Sequence, residues 1–222
     1  MPARRISRSN LTALNTRMGD PFEGLPRNHF GAILSDPPWH FKTYNAKGRK
    51  RSPDWRPFEG SPSIHYDTMS AADIAALPVS ELARDDACLF LWICWPLLAE
   101  AMALIEAWGF VYKTCAFSWT KAHAGQIEMF QDDNAVQIGM GFWTRSNSEV
   151  CLLATRGKPK RLSAAVRQAI IEPRREHSRK PDCVYGRIEA LCDGPYLEMF
   201  SRTRRTGWSA FGNQTDKFKA TA

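Results

Sequence analysis

The sequence has no long hydrophobic run, no CxxC pair, no internal repeat and no low-complexity tract, and each absence removes a class of protein. The longest apolar stretch, Ala87 to Ala99, is broken by Pro96 and flanked by acids. It falls well short of the ~20 apolar residues that a membrane-spanning helix needs. The first residues, MPARRISRSN, are basic with no apolar segment behind them, so they do not read as a signal peptide. The six cysteines (Cys88, Cys94, Cys115, Cys151, Cys183 and Cys192) lack metal-ligand spacing, and four of them sit inside apolar runs. Free buried thiols in a reducing compartment explain them better than disulfides or zinc. The expectation is a soluble, cytoplasmic protein with no membrane segment and no metal site.

What remains is enough for one well-buried α/β domain: 222 residues, 44% of them hydrophobic and 24% charged. The net charge of +7 suits a polyanionic partner, because lysine and arginine contacts to phosphate supply most non-specific nucleic-acid affinity. Charge alone fits a basic enzyme without such a partner equally well. Residues 1–10 read as a basic flexible tail and 11–222 as a single domain. Gly31–Ser35 is a short apolar strand that stops at Asp36-Pro37-Pro38-Trp39, since two prolines end any regular element. Residues 40–62 form a long polar loop. Ser70-Ala-Ala-Asp73 is a capping box opening a helix towards Leu77. Continuous apolar strands are expected at Ala87–Cys94, Phe110–Thr120, Ser148–Thr155, Tyr196–Phe200 and Gly207–Phe211. Helices are expected from Pro96 to near Trp108 and from Pro181-Asp182 through Leu191. Residues 122–147 read as irregular, and Lys158–Lys180 as a basic connection. Strands alternating with helices imply a doubly wound, mostly parallel sheet.

In such sheets the reacting groups lie beyond the carboxyl ends of the strands, which is where Asp36 to Trp39 falls. An aromatic amine such as adenine N6 is a weak nucleophile, because its lone pair is delocalised into the ring. Two acceptors, the Asp36 carboxylate and the Pro37 carbonyl, can bind both amine hydrogens, enrich the nitrogen and orient it for in-line attack on a sulfonium methyl. Pro37 and Pro38 fix two φ angles, so the acceptors are placed in advance. Trp39 offers a π-face on which a base can stack.

Asp-Pro-Pro-Trp is also the signature of the adenine N6-methyltransferase family that includes the catalytic subunit of the eukaryotic mRNA adenosine methyltransferase and many bacterial and phage DNA enzymes. The resemblance runs from about residue 15 to residue 216. Tyr66-Asp-Thr-Met-Ser70 resembles the family's Y-x-T-M-S, and Phe90-Leu-Trp92 its F-L-W strand. Ser148-Glu149 with Leu152 to Gly157 resembles its strand ending in R-G, and His177-Ser-Arg-Lys-Pro-Asp182 its H-S-x-K-P. Glu198-Met-Phe-Ser-Arg202, Gly207-Trp208 and Gly212-Asn-Gln214 resemble its closing E-L-F-x-R, G-W and G-N-Q.

The resemblance implies a Rossmann-like, S-adenosylmethionine-dependent methyltransferase with permuted motif order, and no F-x-G-x-G loop. It implies that Asp36 touches both the target amine and the amino group of the cofactor's methionine. By the same resemblance Lys180 pairs with the methionine carboxylate, and Glu198 and Arg202 reach the ribose or tail. Asn213 and Gln214 bond the ribose hydroxyls, Asn15 lies near the cofactor adenine, and Tyr66 and Glu149 line the target-base pocket. Two departures stand out: Ser201 replaces a common Ala or Gly, and Arg204 stands where the mRNA enzyme has histidine.

Two basic segments are expected to flank the proposed site. One holds Lys42, Lys47, Arg49, Lys50, Arg51 and Arg56 among Tyr44, Trp55 and Phe58; the other holds Arg156, Lys158, Lys160, Arg161, Arg167, Arg174, Arg175 and Arg179. Such loops suit a phosphate backbone and splayed bases, and in a duplex the target adenine must be flipped out to reach Asp36. The leading expectation is adenine methylation in DNA. The same reaction on RNA, a non-catalytic nucleic-acid-binding subunit, and a metabolic enzyme built on the same sheet are the alternatives; monomer and homodimer both stay open.

Overall fold

The computed structural model describes residues 19–39, 68–123, 136, 143–144, 146–176 and 179–218. The basic tail, Asn15, Lys42, Lys47, Arg49, Lys50, Arg51, Arg56, Tyr66 and the His177-Ser178 pair lie outside the described residues. The elements in chain order are β1 (Phe30–Ser35), α1 (Ala71–Ala75), β2 (Ala83–Ile93), α2 (Leu98–Ala107), β3 (Val111–Ala122), β4 (Ser148–Arg156), β5 (Ala169–Pro173), α3 (Cys183–Leu191), β6 (Tyr196–Met199) and β7 (Trp208–Phe211). The seven strands form one sheet in the order β5-β3-β4-β2-β1-β6-β7. Parallel pairing joins β1 to β2 and β6, β6 to β7, and β3 to β5, while β4 runs antiparallel to both its neighbours. The expected mixed α/β, mostly parallel sheet is therefore present, with β4 as its exception.

The continuous apolar strands follow from burial on both faces. Ile33, Leu89, Leu91 and Ile93 pack with Ile74 of α1 and with Ala101, Leu104 and Ile105 of α2. The alternate residues Ala32, Leu34, Phe90 and Trp92 pack with Val184 and Ile188 of α3. Each large apolar side chain so buried contributes on the order of 1.5–3 kcal/mol. The indole of Trp108 donates to the Ile74 carbonyl at 3.2 Å and so fixes the end of α2 against α1.

Ser70 caps α1: its hydroxyl oxygen accepts from the Asp73 N–H at 3.1 Å, as the capping box predicts. Ser70→Ala should lower stability by about 1 kcal/mol, read as a shifted denaturant midpoint at unchanged slope. The strand β5 was not anticipated. It lies inside the basic connection and buries only one apolar residue deeply, Ile170, because it is a sheet edge. Its apolar signal is too short to rise above the surrounding charge. Strand β2 begins four positions earlier than expected, at Ala83. There Asp85 and Asp86 are exposed, so the apolar pattern that marks the rest of the strand is missing.

Candidate active site

The chain leaves β1 for β2 on one side and returns much later to place β6 on the other. The crevice above the carboxyl ends of β1 and β6 is thus the point where strand order switches, the usual ligand position in open α/β sheets. Asp36 follows β1 there directly. Because β4 is antiparallel, its first residues, Ser148 and Glu149, reach the same edge.

The Asp36-Pro-Pro-Trp39 turn is pinned at several points. The Pro37 carbonyl accepts from the Trp39 N–H at 2.8 Å, and the Pro38 carbonyl from the Met69 N–H at 2.9 Å. The Trp39 indole donates to the Trp92 carbonyl at 3.4 Å and is only 5% exposed. Trp39 therefore belongs to the core and anchors the turn, and the open stacking face expected of it is not seen.

Around Asp36 lies a charged cluster. Lys180 Nζ stands 2.8 Å from Asp36 Oδ2 and 3.2 Å from Glu149 Oε2. Arg202 Nη2 lies 3.2 Å from the same Asp36 Oδ2. Lys121, at the end of β3, donates to the other Glu149 oxygen. Burial alone would push the Glu149 carboxyl up, but Lys180 and Lys121 outweigh it and hold it at about 2. Burial would likewise push the Lys180 ammonium down, yet Asp36 and Glu149 prevail and hold it above the ordinary lysine range. Glu149 and Lys180 are thus both charged at neutral pH. Glu198 differs: burial drives its carboxyl up to about 7, against hydrogen bonds from Ser201 and Tyr185 and with the Asp36 charge adding to the rise.

Two cavities meet at Asp36, Phe200 and Arg202. The larger, about 1000 Å³ and open to solvent, is lined further by Pro38, Met69, Phe211, Asn213 and Gln214. The smaller, about 500 Å³, is lined by Trp92, Lys180, Tyr185 and Glu198 on the α3 side of the sheet. Phe200 carries a positive φ of 58°, a strained conformation for a bulky residue. It turns the chain so that the Ser201 N–H reaches the Phe211 carbonyl at 2.9 Å. Only glycine fits at position 212, since a Cβ there would lie 2.6 Å from the Ser201 carbonyl oxygen.

Of the sequence-predicted residues, Asp36, Lys180, Glu149, Glu198 and Arg202 come together around this junction, and Asn213 and Gln214 line the larger cavity. Arg204 instead bonds Asp216 at 2.9 Å and Thr215 at 3.0 Å on the surface. The second basic segment does not flank the site as one unit. Arg156 and Lys158 sit at the opposite edge, because antiparallel β4 ends beside Ala87 near the start of β2. There Arg156 donates to the Ser80 carbonyl at 2.5 Å, and the Lys158 N–H to Asp86 at 2.7 Å. Arg174 and Arg175 follow β5 at the site edge. Arg175 pairs with Asp182 at 2.6 Å and Arg179 with Glu176 at 3.0 Å. Sequence reasoning missed Lys121, which joins the cluster only through the β3–β4 register that sets Trp119 opposite Glu149. It also missed Tyr185 and underrated Ser201. Among the described residues no group of His, Cys, Asp and Glu is placed to hold a metal, no helix is long and apolar enough to cross a membrane, and the cysteines are free.

A cleft at the switch point of an α/β sheet, with an acid held between two cations and amides beyond it, lies where open α/β sheets usually bind their ligands. The chain belongs to the MT-A70 family, whose model matches residues 30–214. Its relatives are methyltransferases, several of them N(6)-adenosine-methyltransferases, and this protein is a member of that methyltransferase family. It is 31% identical over 209 residues to the type II methyltransferase M.MunI of Mycoplasma sp, covering 88% of this chain and 82% of that one. It is 27% identical over 192 residues to the N(6)-adenosine-methyltransferase MT-A70-like protein of Drosophila melanogaster, covering 84% of this chain and 27% of that protein. Against the human N(6)-adenosine-methyltransferase catalytic subunit METTL3 the identity is 25% over 192 residues, covering 84% of this chain and 28% of METTL3.

Proposed function

We propose that the protein transfers a methyl group from S-adenosylmethionine to the N6 amine of adenine in DNA. The reading is carried by Asp36, a carboxylate at the junction of two cavities whose Oδ2 is engaged by Lys180 and Arg202 while Oδ1 takes no part in either bond. The residues present fit the cofactor. Two of the three Lys180 protons go to Asp36 and Glu149, which leaves one for a carboxylate. Asn213 and Gln214 offer the mixed donors and acceptors that ribose hydroxyls need. When bound, the cofactor supplies an electrophilic methyl on a sulfonium.

The chain supplies position and charge. Asp36 Oδ1 and the second lone pair of the Pro37 carbonyl accept the two amine hydrogens, turning the nitrogen lone pair towards the methyl. The pinned turn holds both acceptors without reorganisation. Strand β1, which carries the acceptor turn, precedes β6 and β7, which carry the cofactor residues, and that order supports a permuted arrangement of motifs.

DNA is favoured over RNA because the likeness to a type II methyltransferase spans most of both chains, whereas the likeness to METTL3 spans 28% of that protein. In a duplex the target base is flipped out to reach Asp36. Reversing the charges of Arg49, Lys50 and Arg51 should weaken DNA binding and flatten its salt dependence; an unchanged slope of affinity against salt would remove these residues from the interface. The main test is methyl transfer from labelled cofactor to duplex DNA, single-stranded DNA and RNA, followed by nucleoside analysis. N6-methyladenine in DNA is expected. Transfer to RNA alone would replace DNA as the substrate, and no transfer with intact cofactor binding would count against an active enzyme.

A further inference from the structure

The carboxyl of Glu198 is held by hydroxyls rather than by the cations that hold Asp36 and Glu149. Tyr185 of α3 donates to Oε1 at 3.0 Å, and the Ser201 hydroxyl lies 2.8 Å from Oε2. Ser201 Oγ also stands 2.6 Å from the Thr203 carbonyl oxygen and accepts from the Thr203 N–H at 3.3 Å. A serine hydroxyl has one proton, and a carbonyl can only accept. Both short contacts are therefore hydrogen bonds at once only if Glu198 is the neutral acid, donating to Ser201 while Ser201 donates to Thr203. When Glu198 ionises, the Ser201 proton must swing from the Thr203 carbonyl to the carboxylate. Ser201 is 1% exposed, so no bulk water competes for these positions.

We propose that Ser201 is a positioning residue whose hydroxyl couples the protonation state of Glu198 to the Arg202–Thr203 turn, and that this coupling makes cofactor capture pH-dependent. The inference rests on the reading of the cleft as an S-adenosylmethionine site. The groups that face Glu198 are Tyr185 from α3, Asp36 beyond β1, and Arg202 and Ser201 from the turn after β6; Arg205 stacks over the Tyr185 ring at 4.8 Å, and Lys180 lines the same cavity. The cofactor is a net cation, its sulfonium and ammonium outweighing the one carboxylate that Lys180 would take, so it favours the Glu198 carboxylate over the neutral acid. Binding below the titration range must then release one proton, and affinity falls up to tenfold per pH unit there. A carboxyl that titrates near neutrality, as burial makes this one do, places the effect within the working range.

Ser201→Ala removes the hydroxyl and installs the residue common in the family, so the variant folds. The ionised form loses a charge-assisted hydrogen bond, which is roughly twice as strong as the neutral bond lost by the acid. The Glu198 titration therefore moves up in pH. Cofactor affinity drops severalfold near neutrality and returns to the wild-type value well above it, a pattern that a merely structural loss would not give. Glu198→Gln abolishes the fall in affinity on the acid side and leaves only the alkaline titration of the cofactor's own ammonium. The experiment pairs calorimetric S-adenosylmethionine affinity across pH with a carboxyl-carbon NMR titration of Glu198 in the free full-length protein. An unmoved Glu198 titration in Ser201→Ala, or an affinity loss constant across pH, would overturn the proposal. If the wild type binds no cofactor at any pH, the reading of the cleft fails instead, and the NMR titration still decides whether Ser201 and Glu198 are coupled.

Discussion

Asp36→Ala should reduce methyl transfer by at least ~10³-fold while the protein remains folded, since removing one preorganised group of this kind costs on the order of 10²–10³ and Asp36 serves two ligands. The side chain is the shared wall of both cavities and the partner of Lys180 and Arg202. Its loss takes away an acceptor for the target amine and a counter-charge for the cofactor's ammonium together. The fold survives because Asp36 lies beyond β1 and outside the core, and Lys180 keeps Glu149 as a partner at 3.2 Å. Asp36→Asn separates the two roles: it retains an acceptor oxygen and removes the charge. Single-turnover rates with circular dichroism on the same samples provide the check. A folded Asp36→Ala protein with substantial activity would sink the assigned mechanism.

The second large effect is at Lys180. Lys180→Met should weaken cofactor binding about 10- to 100-fold, the range of one hydrogen bond to a charged group, and destabilise the fold by about 3 kcal/mol. The stability loss arises because Asp36 and Glu149 then face each other with less compensation, although Arg202 and Lys121 remain. The pH profile of stability carries the same signature. Glu149 has a depressed folded value of about 2, so its contribution is complete above the ordinary carboxylate range and disappears as pH falls towards 2. Lys180 has a raised value, so its contribution is complete below the ordinary lysine range and is lost only at strongly alkaline pH. Wild type should therefore hold its network from mildly acidic to alkaline solution, and Lys180→Met should lose part of the gap between neutral and acidic stability. Equal acid sensitivity in the two proteins would show that the ion pair does not couple to folding.

Much of this site could be read from the sequence because its parts are local. A strand that ends in two prolines, an acid in front of them and a cation at a helix start are each set by a few adjacent residues. The buried strands were legible for the same reason: β1 and most of β2 are apolar without interruption. What could not be read depends on pairing between distant segments. Lys121 matters only because β3 and β4 are antiparallel and in one register, and Arg156 leaves the site edge for the same reason. Strand β5 hides among charges because a sheet edge needs only one buried side chain. The burial of Trp39 depends on Trp92 and Met69, far away in the chain, and no tetrapeptide announces that.

The pinning of the Asp36–Trp39 turn has a consequence for how ready the site is before it is filled. Trp39 and Met69 are bridged to each other, and the Met69 N–H donates to the Pro38 carbonyl, so the chain leaves and re-enters the site at one fixed gate. The turn is thus clamped by the core from two sides, through the Trp39 indole on β2 and the Met69 N–H before α1, so its backbone carbonyls are in place before any ligand arrives.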